Sequence, residues 1–146
     1  MMDHHLLTIF ATSTAMLVLC VVIHGFGLFS LNRALRTEAS EERIQRTTPL
    51  SFRGAAFTLA IVLSLFAIHG IEMWAYAMLF LAVGAAPNLH DALYFSVISY
   101  TTVGYNDDFI TESWRLIGAF ESILGMVLIG WSTAFFFRML SRIELN

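Results

Sequence analysis

Three long apolar stretches, separated by polar segments, make up most of the chain. They cover residues 6–31, 55–83 and 114–140. Each is longer than the about 20 residues that a helix needs to cross a hydrocarbon core about 30 Å thick. Lipid offers no partner for a free backbone N–H or C=O group, so each stretch is predicted to be a helix. The pattern therefore predicts an all-α membrane protein with three transmembrane helices.

The first stretch lies within residues 1–32 and is interpreted as a retained transmembrane helix rather than a signal peptide. An aspartate and two histidines precede it in place of a basic segment, and its apolar part is longer than a signal peptide needs. Residues 33–53, the connector, are polar. The connector is predicted to contain a short amphipathic surface helix that ends at Thr47-Thr48-Pro49.

The arginines predict the orientation of the chain. Five of the eight lie in the connector and two more, Arg138 and Arg142, lie in the C-terminal tail. Because basic residues accumulate on the cytoplasmic side, both segments are predicted to be cytoplasmic and the N-terminus to lie outside. We therefore expect a multi-pass protein of the cell membrane, either an inner or a plasma membrane.

Composition excludes several functional classes. The chain is 58% hydrophobic and 13% charged, which is outside the range of ordinary soluble domains. It has no lysine and a net charge of −3, so no nucleic-acid partner is expected. The single cysteine, Cys20, cannot form an intrachain disulfide and is expected to act as a small hydrophobic residue. The polar groups inside the apolar stretches are scattered over separate helices, so neither an enzyme nor a cofactor is predicted.

A shorter segment, residues 90–101, lies between the second and third stretches and cannot cross a bilayer. Asn88 or Asp91 is expected to cap it as a helix. A helix that stops inside the membrane and returns as irregular backbone is tolerated only when protein or a water-filled cavity surrounds it. The negative end of its dipole would favour a cation at its C-terminus. The segment therefore predicts a helix beside an ion pathway.

The residues that follow, Thr102-Val103-Gly104-Tyr105-Asn106-Asp107, resemble the selectivity filter of potassium channels. The family has Thr-Val-Gly-Tyr-Gly-Asp, so Asn106 replaces the second glycine. The resemblance implies a pore domain over residues 54–142, and residues 1–32 would then be an additional helix. Within that domain it implies an outer helix over 55–83, a re-entrant pore helix over 90–101, a filter over 102–106 and an inner helix over 114–140. It also implies a homotetramer, because one filter per chain cannot enclose an ion axis.

Potassium selectivity needs rings of backbone carbonyl groups that replace the water around the ion. We expect the ion-binding carbonyls at Thr102, Val103, Gly104 and Tyr105, with Asn106 at the outermost position. Gly104 tolerates the positive φ that turns successive carbonyls to one side. Asn106 tolerates it better than other non-glycine residues do. Two further interpretations stay open: Asn106 loosens the filter so that Na⁺ also passes, or the chain is a membrane scaffold with a vestigial pore.

The outer mouth and the inner helix carry further candidates. Asp107 and Asp108, together with Glu112, are predicted to attract cations to the mouth. Asp107 also matches an aspartate that braces the filter in the family, but the usual acidic partner in the pore helix is replaced by Ile98. Glu121 is predicted to pack behind the pore helix and to form a hydrogen bond with it in place of that missing carboxylate.

Two glycines of the inner helix, Gly125 and Gly130, are candidates for a gating hinge. Close helix packing explains small residues in membranes equally well. If the alignment with the family holds, the cavity is lined by Met126, Ile129, Thr133 and Phe137. The run 135–137 of three phenylalanines is a candidate for a hydrophobic gate.

Three polar residues lie deep in the apolar stretches. His24 is expected to form a hydrogen bond with a neighbouring helix or to lie near the membrane surface. His69 and Glu72 share one face of a helix because they are three residues apart. A metal site and interhelical hydrogen bonding both fit this pair, and two ligands alone do not make a metal site. The function expected overall is passive K⁺ conduction by a homotetramer in a lipid bilayer.

Overall fold

The computed structural model describes residues 2–36, 51–104, 106–108 and 110–144. All regular structure in these ranges is helical, comprising α1 (Met2–Leu35), α2 (Phe52–Ala82), α3 (Leu89–Tyr100), a 3₁₀ turn (Glu112–Trp114) and α4 (Arg115–Glu144). Three helical segments are long and apolar enough to cross a membrane, namely His4–Leu35, Phe52–Ala82 and Glu112–Ser141. The predicted all-α fold with three transmembrane helices is confirmed.

The helix ends differ from the predicted boundaries. α1 continues to Leu35, so the predicted connector begins inside the last turn of a helix. α2 begins at Phe52 because the hydroxyl of Ser51 accepts a hydrogen bond from the Gly54 amide at 3.1 Å. The surface helix predicted before Thr47-Thr48-Pro49 falls in residues 37–50, which lie outside the described part of the chain.

The short helix α3 packs between α2 and α4. Its first turn is capped by Asn88, whose Oδ1 accepts from the Asp91 amide at 3.0 Å, and the Asn88 side chain donates to Asp91 Oδ2 at 2.8 Å. Twelve residues give a length of about 18 Å, too short to cross a bilayer. The ring of Phe95 meets that of Phe80 on α2 edge to face at 5.1 Å. α3 is thus a partial helix that buries one face against α2 and α4 and leaves Tyr94 and Val97 exposed.

Two glycines allow α4 to approach α3 closely. A Cβ atom at Gly118 would lie 2.6 Å from the Phe95 ring, and one at Gly125 would lie 2.1 Å from the carbonyl oxygen of Tyr100. Neither position has room for a side chain. The last residue of α3 therefore rests directly against the α4 backbone.

The additional helix α1 packs against both long helices. Phe10 meets Phe120 of α4 at 5.4 Å between ring centroids, and Gly27 faces Ile68 of α2. Two apolar clusters hold the bundle together: one includes Cys20, Tyr76 and Leu128, and the other includes Leu28, Ile68 and Met139. Cys20 is fully buried in the first cluster, as expected for a small hydrophobic residue.

Candidate functional site

The segment that follows α3 has an alternating backbone conformation. Thr102 has φ of 61° and Gly104 has φ of 58°, both in the left-handed region. Alternation of left- and right-handed residues directs successive amides to one side of a segment and so leaves the carbonyls on the other. Sequence considerations indicated Gly104 for such a conformation but not Thr102. A threonine with positive φ costs about 1–2 kcal/mol, so surrounding contacts must hold it there.

Hydrogen bonds to α3 provide those contacts. The amide of Thr102 donates to the Ser99 carbonyl at 2.9 Å, and the amide of Gly104 donates to the Ile98 carbonyl at 3.0 Å. Both amides therefore point back at the C-terminal end of α3. The four residues 101–104 are exposed in the single chain, and Val103 has 49% of its surface accessible. This leaves an open, amide-anchored segment whose carbonyls are free to face a partner.

The outer part of the motif is held by different contacts. Tyr105 lies outside the described residues. The Asn106 side chain accepts a hydrogen bond from the Asp108 amide at 2.8 Å, so it stabilises the turn that leaves the segment. Asp108 and Glu112 are both exposed, as an acidic mouth requires.

Asp107 has a partner that the sequence did not indicate. Its Oδ2 lies 3.4 Å from Nε of Arg115, the first residue of α4. Arg115 Nε also donates to the Ile110 carbonyl at 3.4 Å. A cavity of about 200 Å³ lies next to Gly104 and is bordered by Asp107, Arg115 and Ile98. Arg115 therefore joins the loop that carries Asp107 to α4. In the potassium-channel pattern, the usual partner of this aspartate is instead an acidic residue of the pore helix.

Glu121 forms a hydrogen bond with α3, the predicted pore helix. The hydroxyl of Ser96 on α3 lies 2.5 Å from Glu121 Oε1 and 2.8 Å from the Met73 carbonyl on α2. Glu121 and Ser96 are both fully buried. The second carboxylate oxygen, Oε2, is buried without a hydrogen-bond partner among the described residues. One serine thus joins α2, α3 and α4 beside the segment that follows α3.

A polar ring lies between the two apolar clusters and links all four helices. Glu72 accepts from the hydroxyl of Tyr100 through Oε2, and its Oε1 lies 3.0 Å from His24 Nδ1. His69 Nδ1 is 2.8 Å from the Tyr100 hydroxyl, and its Nε2 is 3.0 Å from Ser132 Oγ. The ring closes where Ser132 Oγ meets His24 Nε2 at 3.3 Å. The expected interhelical hydrogen bonding of His24, His69 and Glu72 is therefore present.

The polar ring adds residues that sequence considerations left aside. Tyr100 was seen only as part of the short helix, and Ser132 was not singled out. The signal for Ser132 was a lone hydroxyl in an apolar stretch. No signal in the sequence joins it to His24, which is 108 residues away.

A larger cavity of about 390 Å³ opens beside the end of α3. Thr101, Ile129 and Thr133 line it together with His69 and Tyr100 of the polar ring. Met126 and Phe137, the other residues expected at the central cavity, are exposed on α4 at 61% and 63%. The predicted cavity-lining face of α4 is therefore open in the single chain.

The two hinge candidates differ in their surroundings. Gly125 is packed against the Tyr100 carbonyl, whereas nothing lies within 4 Å of a Cβ built at Gly130. α4 runs without a break through both positions. The structure gives Gly125 a packing role, and a hinge at either glycine stays a prediction.

A short helix ending in an amide-anchored, alternating segment, enclosed by two long apolar helices, defines the ion-channel class of membrane protein. The sequence profile of the ion channel family, which covers the two-helix potassium-type channel domain, matches residues 61–142. That match spans more than half of the chain, and the chain belongs to this family. No curated protein and no solved structure matches the chain.

Proposed function

We propose that the protein is a homotetrameric channel that conducts K⁺ passively and selectively. The observation that carries the proposal is the filter segment, residues 102–106. Thr102 and Gly104, on either side of Val103, have left-handed backbone conformations. The amides of Thr102 and Gly104 donate hydrogen bonds to carbonyls of α3. Carbonyl oxygens arranged on one side are what a ring of K⁺ ligands requires. We assign ion binding to the carbonyls of Thr102, Val103, Gly104 and Tyr105, and the C-terminal dipole of α3 supports a cation there.

A fourfold assembly would account for two exposed surfaces of the single chain. The described residues of the filter segment, and the face of α4 that carries Met126, Ile129 and Phe137, are exposed in the single chain. Large apolar side chains on one helix face favour contact with lipid or with further copies of the chain. A closed ring of four copies would place the filter segments around one axis and the α4 faces around the cavity below it.

We infer the orientation from charge. With the connector and the C-terminus in the cytoplasm, the filter would lie near the outer surface and the acidic mouth would face outside. Asp107, Asp108 and Glu112 would then be repeated in each copy and would raise the local cation concentration. The membrane expected is the cell membrane.

Asn106 favours one alternative, a non-selective monovalent cation channel. Its side chain is engaged with the Asp108 amide, which a glycine cannot do. This bond ties the outermost carbonyl to the acidic loop and gives a reason for altered geometry at that ion site only. The inner sites keep the residues of the family.

The test is a flux assay on the full-length protein in liposomes, with K⁺ and Na⁺ gradients measured separately. The native chain is compared with Asn106→Gly and with Gly104→Ala. Gly104 has open space around it but φ of 58°, so alanine there strains the backbone rather than creating a clash. Gly104→Ala therefore serves as a filter-defective control that detects leakage.

Flux of K⁺ without Na⁺ in the native chain, lost in Gly104→Ala, is the expected result. Flux of both ions, made selective by Asn106→Gly, would replace the proposal with the non-selective channel. Absence of flux in the native chain and in Asn106→Gly would contradict conduction and favour a membrane scaffold.

A further inference from the structure

The polar ring is almost completely buried. His24 and Glu72 are fully buried, and only His69 has an exposed side-chain fraction, of 14%. Each of the five members contacts the next: Glu72, His24, Ser132, His69 and Tyr100. A carboxylate in such a setting needs compensation by positive charge or by a full set of donors.

The hydrogens available to the ring do not match its contacts. With Glu72 ionised and both imidazoles neutral, each histidine and each hydroxyl brings one hydrogen, and the carboxylate brings none. These four hydrogens have to serve the five contacts of the ring, so two lone pairs would face each other in one contact. One further positive charge removes the deficit. A proton can supply it, and so can a metal cation.

We propose that the ring is a binding site for a divalent transition-metal ion of the zinc class. The ligands are His24 Nδ1, His69 Nδ1 and the carboxylate of Glu72, and one possible ligand atom from each of these residues lies within 4.8 Å of those of the other two. The set of two histidines and one carboxylate is one that Zn²⁺ accepts in proteins. The missing third ligand of the His69 and Glu72 pair is thus provided by α1.

The distances suit a tetrahedral ion. Bonds of 2.0–2.1 Å place neighbouring ligand atoms about 3.3 Å apart. His24 Nδ1 is 3.0 Å from Glu72 Oε1 and His69 Nδ1 is 3.3 Å from Glu72 Oε2, so each imidazole faces a different oxygen and the ion would lie between the two nitrogens and the carboxylate. The hydroxyl oxygen of Tyr100, at 2.8 Å from His69 Nδ1, can complete the set as fourth ligand. Small shifts of these side chains would admit the ion.

Ser132 is placed to orient both imidazoles. With metal on each Nδ1, each Nε2 carries a hydrogen and needs an acceptor. Ser132 Oγ has two lone pairs and lies 3.0 Å from one Nε2 and 3.3 Å from the other. The metal-bound arrangement therefore satisfies every nitrogen of the ring.

A cavity borders the site on the side of His69. His69, Tyr100 and Ser132 line this cavity of about 390 Å³ beside the end of α3. Its other polar lining residues are Thr101 and Thr133, and the rest of its wall is apolar, so an ion in the cavity would meet His69 first among the proposed ligands. Binding there would fasten α1 to Tyr100, the last residue of α3, two positions before the filter segment. The proposal concerns binding alone and does not depend on conduction.

The experiment uses full-length protein purified without a polyhistidine tag, freed of metal with a chelator, and titrated with Zn²⁺ alone. Bound zinc per chain is measured by elemental analysis after gel filtration, and Co²⁺ serves as a spectroscopic probe of tetrahedral geometry. The variants are His24→Ala and Ser132→Ala. His90→Ala is the matched control, because the His90 side chain is 89% exposed and lies in the first turn of α3, about 15 Å along the helix from Tyr100.

We expect one zinc per chain and a tetrahedral Co²⁺ spectrum in the native protein and in His90→Ala. His24→Ala should lose both, and Ser132→Ala should bind about 10–100-fold more weakly because the orienting acceptor is gone. Lack of stoichiometric zinc in the native protein would overturn the proposal and leave a proton as the missing charge. Equal losses in His90→Ala and His24→Ala would also overturn it. If His24→Ala does not fold, the native protein and Ser132→Ala decide the question.

Discussion

Replacement of Gly125 by alanine tests how closely α4 must approach the base of the filter segment. The new Cβ would lie 2.1 Å from the Tyr100 carbonyl oxygen and 2.9 Å from its carbonyl carbon. The first contact is more than 1 Å shorter than 3.4 Å, where ordinary van der Waals contact begins. The obstacle is backbone at the end of a packed helix, so a rotamer change cannot relieve it. Such overpacking costs about 1–3 kcal/mol.

Gly130→Ala on the same helix is the matched control. Apart from the backbone of α4 itself, no atom of the described residues lies within 4 Å of a Cβ at that position, so only the helix preference of alanine operates. That preference stabilises by up to about 1 kcal/mol, and it applies to both variants. The two proteins should therefore differ by the packing cost alone. For a chain of this size a difference of 1 kcal/mol moves Tm by roughly 2–4 °C.

The assay is thermal unfolding of both variants in the same detergent, followed by K⁺ flux in liposomes. Gly125→Ala should unfold at a lower temperature than the native protein, and Gly130→Ala at the same or a higher one. Displacement of Tyr100 should also reduce flux in Gly125→Ala, because Thr101 and the filter segment follow directly. A Gly125→Ala protein that unfolds with Gly130→Ala but conducts differently would refute packing and favour the hinge.

Two further predictions concern the contacts behind and above the filter segment. Ser96→Ala should destabilise by about 1–3 kcal/mol because Glu121 loses its donor. In a thermal-unfolding cycle, Glu121→Met should cost less in that background than alone, and purely additive values would contradict the bond. Arg115→Gln should change Tm little, since an exposed pair contributes at most about 1 kcal/mol. Because it frees Asp107, Arg115→Gln should nevertheless lower the ratio of K⁺ to Na⁺ flux at low salt. Arg138→Gln is the control. A ratio that is unchanged in Arg115→Gln and equal to that of Arg138→Gln would contradict the role of Arg115 in holding Asp107.

The long helices could be predicted from the sequence because apolar length alone determines them. A run that exceeds the thickness of the hydrocarbon core has few alternatives to a helix in lipid. The short helix was predictable for a related reason, since Asn88 provides a cap and the run is too brief to span. The ends of the helices were harder to predict from the sequence. Ser51 begins α2 through a single side-chain hydrogen bond, and many serines in polar segments make no such bond.

The polar ring could not be assembled from the sequence. His69 and Glu72 are neighbours on one helix, and this pairing follows from spacing alone. His24 lies 48 residues before Glu72, and only the packing angle between α1 and α2 brings them together. Arg115 is a different case, because it is the one arginine outside both the connector and the C-terminal tail. That exception was the available sign of a role at the other end of the bundle.

The dependence of Glu72 on α1 has a consequence for the evolution of such chains. The matched family region begins at residue 61, so α1 lies outside it, yet His24 on α1 is a hydrogen-bond partner of a fully buried carboxylate inside it. Removal of such a partner leaves a buried polar group unsatisfied, which costs about 1–3 kcal/mol and more for a charged group. Related chains that never acquired α1 are therefore expected to carry an uncharged residue in place of Glu72. The carboxylate and the additional helix should be inherited, and lost, together.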